Sequence, residues 1–143
     1  MNDIGIFYAL MTAVTWGLVY AIDEKILINV SPSALLFANA LIMAIVILPV
    51  FYFDSYGIKD LLNSGRLNLT LIVITAALGA FANFFIFSAI KALGAPTATV
   101  IEITYPVFVV LFGFLLFRAH LNIMFFLGAV FIFIGSFIII RLA

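Results

Sequence analysis

One acidic side chain of this chain stands inside an apolar run. It is Glu102, in the stretch from Thr97 to Phe117. An ionisable group at membrane depth costs about 2.5 to 3.5 kcal/mol for Asp on insertion scales, so it asks for a partner or a task. Pro106 follows four residues later. Having no N–H, it gives nothing to the carbonyl of residue 102, and a helix kink there sets a carboxyl beside a freed carbonyl. At helical spacing around them lie Ala95, Ala98, Thr99, Tyr105, Val109 and Gly113, a small and polar face on a segment otherwise of Phe, Val and Leu. That pattern suits a titratable or cation-binding group in a transport path. Burial and a nearby Lys91 act on such a carboxyl in opposed senses. The plainer alternative makes Glu102 and Lys91 a buried tether between two helices.

Three further stripes of the same kind can be read. Thr75, Gly79, Asn83, Phe87 and Lys91 recur every four residues; Tyr8, Thr12, Thr15, Trp16 and Val19 share one helical face; and Asn39 with Met43 marks another. Together with the Glu102 face they most economically line one cavity. Each also has a purely structural reading. Asn39 and Asn83 serve as well for hydrogen bonds between helices, and Trp16, too central for an interfacial belt, serves as well for packing. Gly128 and Gly135, a heptad apart with Ser136 beside them, are read as permitting close approach of helices, within the chain or between copies. Tyr52 and Tyr56 fit anchoring at a membrane surface.

The elements that must position these residues follow from composition. Of 143 residues, 68% are hydrophobic and 8% charged, against about 45–50% and about 25% in ordinary globular domains. Six basic and six acidic residues cannot cover a soluble domain. Apart from Glu102, the charges sit between or at the ends of apolar runs. A membrane helix needs about 20 apolar residues, and the charge-free windows predict five, over residues 4–22, 33–53, 69–90, 97–117 and 123–140. Ser31-Pro32 reads as the N-cap and first residue of the second span, and Pro96 as the start of the fourth. The connection 54–68 reads as a surface loop. Membrane strands are about half as long as these runs and alternate, so the expected fold is an all-helical integral membrane protein of one domain over residues 1–143. Met1-Asn2-Asp3 offers no basic leader and no small-residue cleavage site follows, so the first span is expected to stay attached.

Several function classes lose their footing. The formal charge is zero, there is no Cys and a single His, so no nucleic-acid surface, thiolate chemistry, metal centre or cofactor is expected. Neither paired carboxylates nor a Ser/His pair points to an enzyme. Dividing the basic residues by side of the membrane is more informative. Lys59, Arg66 and Arg118 fall on the N-terminal side and Lys25, Lys91 and Arg141 on the other. The bias that normally sets orientation is nil. Chance, tipped by the N-terminal amine and His120, is one account. The other is insertion in both orientations and antiparallel pairing, since a five-span unit is half of an inverted-repeat machine.

Short segments carry a resemblance. Thr15-Trp16-Gly17, Ser31-Pro32-Ser33, the run Ala89 to Ala98 with Gly94-Ala95-Pro96 inside it, Tyr105-Pro106-Val107-Phe108, and Phe126-Leu127-Gly128-Ala129 to Ile134-Gly135 come in order across nearly the whole chain. They resemble the EamA-like domain of the drug/metabolite transporter superfamily. The resemblance implies one five-helix half of a ten-helix transporter of small metabolites, often outward, in a prokaryotic plasma membrane. It also implies that a single-copy member pairs with a second copy. The first four helices are then expected to surround the substrate, and the fifth to support contact between halves. Two positions depart from the pattern: Asn39 stands where the family often has a basic residue, and Arg118-Ala119-His120 where it has a Gly-Glu pair. The related small multidrug transporters rely on a Glu in their first helix, which is missing here.

The expectation is therefore a secondary transporter subunit acting as an antiparallel homodimer on a small, amino-acid-like or otherwise amphipathic compound. Glu102, Asn83, Trp16, Tyr105, Thr99, Asn39 and Lys91 are its candidate binding or coupling residues. A membrane scaffold, or an accessory subunit that needs a different partner chain, is the alternative.

Overall fold

In lipid every backbone N–H and C=O must find its partner within the chain, and for single apolar runs only helices achieve this. The computed structural model describes residues 3–54, 56–118 and 123–142, with the backbone alone at Asp3 and Leu142. The described residues are 92% helical, and no strand occurs among them. In chain order the helices are α1 (Asp3–Leu27), α2 (Pro32–Phe53), α3 (Gly57–Asn63), α4 (Gly65–Leu93), α5 (Ala95–Glu102), α6 (Tyr105–Phe117) and α7 (Ile123–Leu142). Five spans are long and apolar enough to cross a bilayer: α1, α2, α4, the pair α5–α6, and α7. Ala119 and His120, invoked above for the family pattern and the charge balance, lie outside the described residues.

Three boundaries differ from the sequence reading. The first span does not stop at Ile22 but continues through Asp23, Glu24 and Lys25 to Leu27. Its charges therefore lie within the helix. The supposed loop 54–68 contains α3, and α4 starts at Gly65. Here the Asp54 side chain accepts from the Tyr56 N–H at 3.1 Å, and Ser64 Oγ donates to the Leu61 carbonyl at 2.7 Å. Local polar side chains thus satisfy the helix ends where the α2–α4 connection reverses. The fourth span is interrupted: α5 ends at Glu102, and α6 begins at Tyr105 with Pro106 in its first turn.

The remaining junctions follow local rules. At the entry to α2, Ser31 Oγ accepts from the Ala34 N–H at 3.2 Å, with proline in the first turn. Between α4 and α5 stands Gly94 at φ +81°, a left-handed geometry in which a Cβ would be strained. Such a Cβ would also lie 3.2 Å from Glu24 Oε1. At the end of α6, Arg118 takes φ 53°.

The chain forms two compact units. One comprises Met1–Glu24 with Ala89–Ala143, and holds most of α1, the end of α4, and α5, α6 and α7. Its buried residues are mainly small or polar: Asp23, Ala95, Ala98, Ala129 and Ser136, with Ile90. Both α5 and α6 pack on α7. The other unit, Lys25–Ser88, holds α2, α3 and most of α4. It buries Leu27, Leu35, Ile86 and Phe87. Large apolar side chains elsewhere are mostly exposed, as lipid-facing positions require.

Candidate functional site

The site is built on the interruption of the fourth span. In an unbroken helix the Val100 carbonyl would take the Thr104 N–H, but that N–H turns to Ile101 at 3.2 Å. Ser136, buried on α7, supplies the missing donor, and its Oγ lies 3.0 Å from the Val100 oxygen. Pro106 offers the Glu102 carbonyl no N–H, and the Val107 N–H goes to Thr104 at 3.1 Å. Two consecutive carbonyls, of Glu102 and Ile103, thus forgo their ordinary helical donors beside the Glu102 carboxyl.

That carboxyl is half-buried and accepts a hydrogen bond from the Tyr20 hydroxyl at 3.1 Å. Tyr20 lies on α1, and its ring is 5.2 Å from that of Trp16, tilted by 32°. Asp23, one turn further along α1, is only 4% exposed, and its Oδ2 takes part in no hydrogen bond. Asp23, Glu102 and Tyr105 all act electrostatically on the Tyr20 hydroxyl. Buried carboxylates are ordinarily satisfied, so Asp23 is the least settled polar group among the described residues of this unit.

Toward the start of α1 lies an open furrow of about 280 Å³, lined by Tyr8, Met11, Thr12, Thr15 and Trp16. Every one of these residues lies on α1, so the furrow has a single wall. Thr12 and Thr15 donate their hydroxyls to the carbonyls of Tyr8 and Met11, at 2.9 and 2.8 Å. The surface they offer a ligand is largely their methyl groups.

The sequence candidates separate accordingly. Trp16 and Glu102 are joined through Tyr20, and Tyr105, though exposed, stands within electrostatic reach of the same hydroxyl. Thr99 turns its hydroxyl to the Ala95 carbonyl at 2.7 Å. Lys91 sits in the last turn of α4, where a cation suits the helix end. The partner shown for Glu102 is Tyr20. Asn39 and Asn83 belong to the other unit, where Asn83 donates to the Gly79 carbonyl of its own helix at 2.9 Å. A Cβ at Gly128 or Gly135 would meet nothing within 4 Å among the described residues. The buried positions of α7 are instead their neighbours Ala129 and Ser136.

Sequence reasoning missed Tyr20 and Asp23. Tyr20 is four residues beyond Trp16 on the stripe already read from Tyr8 to Val19, so helical spacing would have found it. Asp23 carried no such signal, because its burial depends on another helix covering it.

The profile of the EamA-like transporter family matches residues 3–141. The chain belongs to that family. It is a multi-pass integral membrane protein of the drug/metabolite transporter type, and the family is one of transporters rather than enzymes. Comparison with the curated proteins gave no match, and comparison with the solved structures gave none.

Proposed function

We propose that this EamA-like chain is one subunit of a secondary transporter that carries a small amphipathic metabolite out of a prokaryotic cell across its plasma membrane. It works by alternating access as an antiparallel homodimer. The observation that carries this reading is the one-walled furrow on α1, which leads through Trp16 and Tyr20 to the acidic pair. A binding site of that shape is half a site, and a second, inverted copy supplies the facing wall. The equal division of basic residues between the two sides supports insertion in both orientations. On α7 the open faces of Gly128 and Gly135 suit contact with another copy.

Paired reporters fused to the C-terminus, one active only in the cytoplasm and one only outside it, test the arrangement. Activity of both at comparable levels is expected. Signal from one alone would remove the antiparallel dimer.

A further inference from the structure

α1 and α5 meet at two points. Tyr20 donates to Glu102 at the end of α5, and Glu24 Oε1 lies 3.2 Å from where a Cβ on Gly94 would stand, at its start. Moving up α1 from Tyr20 to Glu24 therefore means moving back along α5 from Glu102 to Gly94, and the two run antiparallel. Along α1, Asp23 lies between these two contacts. It is nine-tenths buried, with Oδ2 unpartnered. The Tyr20 hydroxyl has a single proton to donate and gives it to Glu102, while Asp23 follows Tyr20 within one turn of α1. Among the described residues the Tyr20 hydroxyl is the donor shown for Glu102 and none is shown for Asp23 Oδ2, and an unpaired buried carboxylate is costly.

The other side of Tyr20 is different in kind. Its ring meets Trp16, and Trp16 closes the furrow whose threonine hydroxyls are already bonded to their own helix. Along α1 the molecule offers an open, largely apolar furrow, an aromatic pair and then carboxylate oxygens. At about 280 Å³ the furrow falls just below the range of small-molecule pockets, which begins near 300 Å³.

Resting on the transporter reading above, we propose that this site takes an amphipathic primary ammonium compound. Its apolar or aromatic body lies along the furrow, and its –NH3+ group lies between Glu102 and Asp23, beside the Trp16 and Tyr20 rings. The N–H donors matter: a quaternary ammonium gains the rings' attraction for cations but leaves the carboxylate oxygens unpaired. A free amino acid brings its own carboxylate toward two others and is rejected by like charge.

Trp16 is the only tryptophan of the sequence, so its emission reports directly on the furrow. The full chain, purified and reconstituted in lipid vesicles, is titrated with phenethylamine, phenylalanine, phenethyltrimethylammonium and 2-phenylethanol, with excitation of tryptophan alone. Saturable change is expected with phenethylamine, and affinity lower by about tenfold or more, roughly 1.4 kcal/mol, for the other three. Asp23→Asn and Glu102→Gln should each weaken phenethylamine by a similar factor. Equal binding of phenylalanine or of the quaternary compound overturns the proposal, and so does unchanged affinity in a folded Asp23→Asn variant. The ligand series on the unaltered protein decides the matter even if a variant fails to fold. Flux is read separately in the same vesicles. Amine-selective binding without flux keeps the site and removes the transport reading. Flux of other compounds without amine selectivity keeps the transport reading and removes the site.

Discussion

The two compact units bury different kinds of residue. Unit Lys25–Ser88 buries Leu27, Leu35, Ile86 and Phe87. That is how apolar helices fill space. Among the described residues, the unit that contains α5, α6 and α7 buries alanines, a serine and an aspartate, with Ile90 as its one large aliphatic. Small residues let backbones approach, and close backbones bring polar groups together at depth. The consequence is visible around α5. On one side Ser136 repairs the unpaired Val100 carbonyl; on the other Tyr20 meets Glu102 and Asp23 stays unsatisfied. Large apolar burial holds the fold in one unit, while the other uses small-residue packing to carry both a repair and an incomplete polar cluster. A complete polar contact marks scaffold, and an incomplete one marks a place for something else.

The sharpest way to break this comparison is Glu102→Gln. If the acidic cluster is functional, measurable substrate flux should vanish and phenethylamine binding should weaken by about tenfold or more. Stability in detergent should move by no more than about 0.5 kcal/mol, because Gln keeps the size and an acceptor for Tyr20. Dimer content by size-exclusion with light scattering should also be unchanged. Full flux in a folded Glu102→Gln protein would return this unit to the same structural role as the other.

What could be read from the chain beforehand divides along the same line. Five spans were legible because lipid demands about 20 apolar residues of each, and nothing else in the sequence competes with that demand. The end of α1 was not. Asp23, Glu24 and Lys25 look like a boundary by charge, yet the helix runs to Leu27 and Asp23 is 4% exposed. Charge tells where polar groups lie along a chain, not whether a neighbouring helix covers them. Likewise, Pro106 foretold trouble for the Glu102 carbonyl. That the span would part into α5 and α6, and that α7 would send Ser136 to mend the gap at Val100, depends on helix packing that spacing does not contain. The segment 54–68 read as loop from its Gly, Asn and Asp content, and local hydrogen bonds at Asp54 and Ser64 made room for α3.

Phe87→Ala probes the apolar unit. Phe87 is 3% exposed on α4, and its truncation leaves a cavity costing about 3 kcal/mol. That is the low end of the usual range for this change, since lipid is as apolar as the interior. Thermal unfolding in detergent should register the loss, whereas the selectivity among amines and amino acids should stay as in the parent protein. Altered selectivity would mean that the apolar unit shapes the site as well.

Ser136→Ala gives the smallest effect and the finest test, because it removes polarity from the acidic unit without touching the acidic cluster. Ser136 is buried, and its hydroxyl is the donor that the Val100 carbonyl lost when the Thr104 N–H turned to Ile101. Leaving a buried carbonyl unpaired costs about 1–3 kcal/mol in proteins generally. Hydrogen bonds between membrane helices reach about 1.7 kcal/mol at most, so a loss of about 1–2 kcal/mol is expected. Ser136→Thr, which keeps a hydroxyl, should recover part of it. Flux per folded molecule should not change, since the contact is on the α7 side of α5 and the acidic pair on the α1 side. If Ser136→Ala instead leaves stability intact and alters substrate preference, completeness of a hydrogen bond is no guide to scaffold, and the break between α5 and α6 belongs to the transport path on both of its sides.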